Sequence, residues 1–191
     1  MKYSTFDNLL INESKIFNEK NIQNVFLISD THFNHKKIGI YCSRPEDWQH
    51  IIINNWNNTV NKNDIVLHLG DFGFGSIERM HDVRNELNGE IYMIKGNHDR
   101  HSVGWFKDIG ITLIKKPFTV YIKDNQYLFS HAVKPCNSEI IGIHGHCHNK
   151  SPLFRNILGN YHINISVENI NYTPIKFKKL IDRLLLLDNN V

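Results

Sequence analysis

The sequence predicts an α/β fold: a mainly parallel sheet with helices outside it, followed by a β-rich second half. Three observations carry this. Apolar runs without polar alternation, Val25 to Ile28, Ile65 to Leu69 and Ile91 to Ile94, have the pattern of strands buried on both faces. Each run leads into a polar loop, and segments of helical spacing follow the first two. Such strand, loop and helix alternation builds parallel layers that bind ligands at the carboxyl ends of their strands.

Taken in order, the first run ends at Ser29-Asp30, which places Asp30 at a strand terminus. Between Glu46 and Val60, Trp48, Ile51, Ile52 and Trp56 fall on one face of a helix. After the second run and Gly70-Asp71-Phe72-Gly73-Phe74-Gly75, Ser76 reads as an N-cap, with Glu78 in the first turn of a helix to about Leu87. The third run leads into Gly96-Asn97-His98-Asp99. Phe118 to Ile122 and Tyr127 to Ser130 flank Lys123-Asp124-Asn125-Gln126 as a hairpin, and Ile140 to Ile143 and Tyr161 to Val167 read as further strands. A closing helix is expected with Thr173 as N-cap, Pro174 at its first position, and Phe177, Leu180, Ile181, Leu184 and Leu185 on one face. Residues 1–191 are expected to form a single domain, with 1–22 an N-terminal extension of unassigned role.

Composition narrows the class. With 41% hydrophobic and 21% charged residues the chain can bury a core, and its formal net charge of +3 is too small to argue for a polyanion partner. No apolar run approaches the roughly 18 to 20 residues of a membrane span, and the polar start at Met1-Lys2-Tyr3-Ser4 is unlike a signal peptide. Cys42, Cys136 and Cys147 lack paired spacing and fit reduced thiols, so a soluble, cytoplasmic protein is expected. The 12 histidines, several beside Asp, Asn and Gly, favour a metal site.

Five clusters carry the chemistry: Asp30-Thr31-His32, Gly70-Asp71, Gly96-Asn97-His98-Asp99, His131, and Gly145-His146-Cys147-His148. In Asp30-x-His32 and His146-x-His148 an extended backbone would turn both outer side chains to one face. Any one cluster is ambiguous, since a lone strand histidine is usually a satisfied core residue. Together they are hard to explain as packing, because each buried polar group without a partner costs about 1–3 kcal/mol. A metal centre supplies the shared partner.

The ordered set D-x-H, GD, GNHD, H and GHxH resembles the calcineurin-like metallophosphoesterase superfamily. Ser29 to His35 and the ending Val167-Glu168-Asn169-Ile170-Asn171-Tyr172-Thr173-Pro174 look like a compact bacterial and phage branch of it. The resemblance implies a four-layer α/β/β/α sandwich of two central mixed sheets flanked by helices, and a two-metal centre. Asp30, His32, Asp71 and His148 would hold one divalent ion, and Asp71, Asn97, His131 and His146 the second, with Asp71 bridging. Manganese is the first choice, with iron, zinc or nickel as alternatives, because mixed nitrogen and oxygen donors accept all of them. A bridging hydroxide would be the nucleophile. His98 would act as general acid near the leaving oxygen, Asp99 would either orient it or cap a turn, and His35 and Arg44 would contact phosphate.

Departures from the family pattern narrow the substrate. The GDxxDRG signature of phosphoprotein phosphatases is absent, and only Asn149 to Val191 follow the last cluster, too few for the capping domain of the repair nucleases. The expected activity is hydrolysis of a small phosphodiester such as a cyclic nucleotide. The alternatives are a nuclease acting on DNA or RNA, which the weak net charge does not encourage, and a non-catalytic interaction module, which would be expected to have lost a ligand or the His98 position. Metabolite-sized substrate, no membrane and an open oligomeric state complete the expectation.

Overall fold

The computed structural model describes residues 16–18, 21–114, 116–122, 125–136, 139–155 and 161–188. The first half forms the strands β1 (Val25–Ile28), β2 (Ile65–His68), β3 (Glu90–Ile94) and β4 (Ile111–Ile114), all mutually parallel. Between them run α1 (Ile38–Tyr41), α2 (Trp48–Thr59), α3 (Ile77–Glu86) and α4 (Val103–Asp108). The second half contributes β5 (Phe118–Ile122), β6 (Asn125–Phe129), β7 (Ile140–His144), β8 (Leu153–Arg155), β9 (Tyr161–Asn164) and β10 (Ile175–Lys176), and then α5 (Phe177–Asp188).

Two five-stranded mixed sheets result, in the orders β10-β1-β2-β3-β4 and β5-β6-β7-β9-β8. The apolar runs are explained by burial on both faces. Phe26 and Ile28 of β1, Val66 of β2 and Ile91 and Met93 of β3 face the helices, meeting Trp48, Ile52 and Trp56 of α2, Met80 and Val83 of α3 and Phe106 of α4. Their neighbours Val25, Leu27, Ile65, Leu67, Tyr92 and Ile94 face the other sheet, against Phe118, Tyr127, Phe129, Ile143 and Ile163. With a buried side chain on each face, no position in these strands can be polar without a partner.

Ser76 takes the N-cap position of α3 with an extended backbone, although its side chain makes no capping bond. The unforeseen α4 is capped by Ser102, whose hydroxyl oxygen accepts from the Trp105 N–H at 3.2 Å. Lys123 and Asp124 of the expected hairpin loop lie outside the described residues, and Asn125 and Gln126 already belong to β6.

Two expectations are corrected. The strand begun at Tyr161 stops at Asn164, and Val167–Ile170 is a short 3-10 turn. Thr173 and Pro174 do not start the last helix. They lead into β10, which pairs antiparallel with β1 through Lys176 with Phe26 and Ile175 with Leu27, and α5 begins at Phe177. The edge of β1 offers unpaired backbone groups, and satisfying them outweighs a local cap signal. Part of the N-terminal extension, which carried no assigned role, packs into the core. Ile16 is fully buried, and Phe17 stacks 4.9 Å from Phe129 and meets Phe177 edge-on at 5.2 Å. These contacts join sequence-distant rings, so no local period could announce them. In α5, Phe177, Leu180 and Ile181 join the inter-sheet core, whereas the side chains of Leu184 and Leu185 lie outside the described residues.

None of Cys42, Cys136 and Cys147 is in a disulfide, and no helix among the described residues is long and apolar enough to cross a membrane.

Candidate metal centre

The loops leaving the strand ends continue the sheet's backbone pairing. Asp30 N–H donates to Gly70 O, His32 N–H to Asp71 O and Gly145 N–H to His131 O, at 2.8–3.0 Å. This lacing joins the Asp30 loop to the Asp71 loop, and His131 to the loop that carries His146.

Convergence is not achieved by extended alternation, which corrects the expectation. Asp30, His32, Asp71, His146 and His148 all have left-handed backbones, with φ of 59°, 50°, 57°, 67° and 45°. Such conformations cost of order 1–3 kcal/mol each for residues with a side chain and persist only where the surroundings over-determine them. Two glycines permit the close approach. A Cβ on Gly96 would collide with the Asp71 carboxylate, and one on Gly145 with that of Asp30.

The donors fall into two groups, Asp30 with His32 and His148, and Asp71 with His131 and His146, the ligand atoms of each lying within 4.8 Å of one another. Asp71 joins them: its Oδ2 is 3.5 Å from His32 Nε2 and 3.4 Å from His131 Nε2. The His131 ring is held by Nδ1 at 2.9 Å from the Leu69 carbonyl, to which it can only donate, and Nε2 points to Asn97 Oδ1 at 3.0 Å and His146 Nδ1 at 3.2 Å. A proton on Nε2 can serve one of these acceptors, whereas a cation can serve all of them.

The other group also fits a cation. Asp30 is fully buried; Oδ2 accepts from His146 N–H and the Ser166 hydroxyl, both at 2.9 Å, but Oδ1 accepts no hydrogen bond, and neither ring nitrogen of His32 makes one. Burial pushes the Asp30 carboxyl up from its ordinary range and brings His32 down to about 3, so His32 presents a neutral ring with an available lone pair. Burial also acts upward on Asp71, but the His131 ring and the His98 N–H outweigh it and hold that carboxyl at about 2.

Several predicted site residues are placed differently from one another. His98 is exposed at the rim; its backbone N–H donates to Asp71 Oδ1 at 2.9 Å, and its ring lies 5.5 Å from that of His32. Asp99 takes the turn-capping role, accepting from Asp71 N–H at 2.6 Å, Gly96 N–H at 2.8 Å and Phe72 N–H at 3.1 Å, so that one buried carboxylate pins two ligand loops together. His35 is half-buried beside the site, with its ring 5.7 Å from that of His32.

Arg44 is corrected. Its guanidinium is buried and faces inward: Nη2 donates to Asp30 O at 2.7 Å, Nη1 to Thr31 O at 2.9 Å, and Nε to Glu168 Oε1 at 2.8 Å. No fork remains for a phosphate, and Arg44 instead braces the backbone of the Asp30 loop.

Glu168 is the residue that sequence reasoning missed. Its Oε1 stands 3.2 Å from His148 Nδ1, the arrangement that fixes a ligand histidine's tautomer and leaves Nε2 for a metal. Burial opposes ionisation there, but the His148 bond and the Arg44 charge hold the carboxyl down to about 2. Its signal was the family-like ending around Val167-Glu168-Asn169, which local spacing could not connect to His148.

His68, at the end of β2, is fully buried, its Nε2 3.0 Å from Thr31 Oγ1 and its Nδ1 accepting from Gly70 N–H at 3.1 Å. Burial lowers it to about 3, against about 6.5 for a histidine in the unfolded chain. The unfolded state therefore binds the extra proton between those values, and stability falls on acidification by up to about 1.4 kcal/mol per pH unit below 6.5. Urea unfolding at pH 7 and pH 5 is expected to show a smaller loss in His68→Gln than in the wild type; equal losses would exclude His68 as a source of the acid sensitivity.

Two sheets that deliver carboxylates and imidazoles from their strand ends to one point define an α/β protein with a candidate metal centre. The chain belongs to the calcineurin-like phosphoesterase superfamily, whose domain model matches residues 24–164. It is 35% identical over 179 residues to an uncharacterized protein of Methanocaldococcus jannaschii, an alignment covering 84% of this chain and 90% of the relative. A solved structure of a protein of unknown function from Aquifex aeolicus shares the fold, at a TM-score of 0.66 and 23% identity over 84% of this chain and 98% of that one.

Proposed function

We propose that the protein is a dinuclear metal-dependent phosphodiesterase acting on a small phosphodiester. The observation that supports this most is the Asp71 carboxylate, one oxygen of which lies between histidines of two separate donor groups. Asp30, His32, His148 and Asp71 would hold one divalent ion, and Asp71, Asn97, His131 and His146 the other, with manganese the first choice. Ions held there supply Lewis acidity, neutralising phosphate oxygens and acidifying water.

The chain's own residues do the rest. Asp99 and Arg44 keep the ligand loops in place from behind, and Glu168 orients His148. His98 stands on the exposed side, where an imidazole can hand a proton to a departing alkoxide, and its backbone bond to Asp71 ties its position to the shared ligand. On this proposal the protein is a single-domain, cytoplasmic enzyme with a metabolite-sized substrate.

The test is hydrolysis of bis-p-nitrophenyl phosphate against p-nitrophenyl phosphate by metal-stripped protein with manganese restored, with chelator as the control. Chelator-sensitive preference for the diester is expected. Preference for the monoester would reverse the substrate class, and absence of metal-dependent turnover on both would remove the enzymatic reading for simple esters. His98→Ala is expected to retain its metal content and lose about 100-fold in turnover, within the range for a general acid; unchanged turnover would take His98 out of the mechanism.

A further inference from the structure

A row of rings leads outward from the candidate centre. Phe74 lies 5.9 Å from the His32 ring and nearly parallel to it, 5.5 Å from His98 and 4.4 Å from His35, and His35 leads on to Tyr41 at 6.4 Å. Tyr41 is 67% exposed and its neighbour Ile40 79%, the two most open apolar side chains of α1. Scattered exposed apolar residues need no explanation, but these stand at the end of a continuous row that starts on a ligand histidine. The row is also rigid at its root. Phe74 N–H donates to Phe33 O at 2.8 Å, and Gly73 bridges Phe33, so the Phe74 backbone is laced to the loop that carries His32.

A phosphate drawn to the centre must direct its ester groups along one of the walls. The wall made by Phe74, His35 and Tyr41, with His35 between the other two, is a row of flat rings, with Lys36 and Lys37 exposed at the head of α1 beside it. Flat faces beside a phosphate site favour a planar substituent over an aliphatic one, because base and ring can stack whatever the base's hydrogen-bonding edge. We propose that this row is the specificity wall of the site and takes the nucleobase of a nucleotide phosphodiester, stacked against the run of rings from Phe74 through His35 to the exposed Tyr41. The inference rests on the phosphodiesterase reading and narrows its substrate class.

Binding tests it independently of turnover. Manganese-loaded protein is titrated calorimetrically with adenosine 5′-phosphate and with ribose 5-phosphate, which carries the same anion without the base. The wild type is expected to bind the adenine compound about tenfold more tightly, the contribution of one stacked base. Phe74→Leu, which keeps apolar bulk but removes the flat face, and Tyr41→Ser, at an exposed position, are each expected to shrink that ratio while ribose 5-phosphate still binds. Equal affinities in the wild type, or a ratio that survives in both variants, overturn the stacking wall alone. Failure of both phosphates to bind overturns the metal-centre reading together with it.

Discussion

Asp71→Asn is expected to abolish tight binding of both ions and to lower bis-p-nitrophenyl phosphate turnover by more than about a hundredfold. The substitution is nearly isosteric, so the loop and the His98 N–H contact to Oδ1 can survive. What it removes is the negative charge at Oδ2, the atom within 3.5 Å of His32 and 3.4 Å of His131. Loss of a partner one shell further out already costs about 10–100-fold in metal affinity or activity, and Asp71 would be a direct ligand to two ions at once. Manganese titration by calorimetry supplies the decisive readout. Two ions bound per chain with unaltered affinity would show that Asp71 is not a bridge.

The second large effect concerns stability. Arg44→Ala is expected to destabilise the protein by about 3–5 kcal/mol, because it leaves the Glu168 carboxylate buried without its counter-ion and strands the Asp30 and Thr31 carbonyls. A phosphate-binding arginine would behave otherwise, raising KM with little change in unfolding free energy. Denaturant unfolding and KM measured on the same variant separate the two roles. A raised KM at undiminished stability would return Arg44 to the substrate. Arg44→Lys should recover only part of the loss, since one ammonium cannot reproduce donors aimed at three separate acceptors.

These two residues also mark how far local sequence can be read. That Asp71 would gather with the histidine clusters was legible because strand-end carboxylates followed by loops, repeated with histidines, are hard to explain as packing. Arg44 was misread because its residue type suits a phosphate and a buried carboxylate equally well; the choice depends on Glu168, which lies far along the chain in a 3-10 turn. Asp99 shows the same dependence, since its partners are backbone groups of two different loops.

The parallel strands were readable for a related reason. Burial on both faces requires unbroken apolar runs, and that requirement is local. The edge strand Ile175–Lys176 was not readable, because its existence follows from an unpaired edge of β1 supplied by a segment far away in the chain. Phe17 likewise acquires its role only when Phe118, Phe129 and Phe177 surround it.

By itself the sequence determined the donor inventory, its order along the chain and the kind of strand that presents it. These depend on residue chemistry and on short-range periodicity. Tertiary structure decided which oxygen is shared, which histidine is braced by Glu168, and that five candidate ligands adopt left-handed backbones in place of extended ones. Those choices are made by hydrogen bonds between loops distant in sequence, which together impose backbone conformations that local preferences oppose.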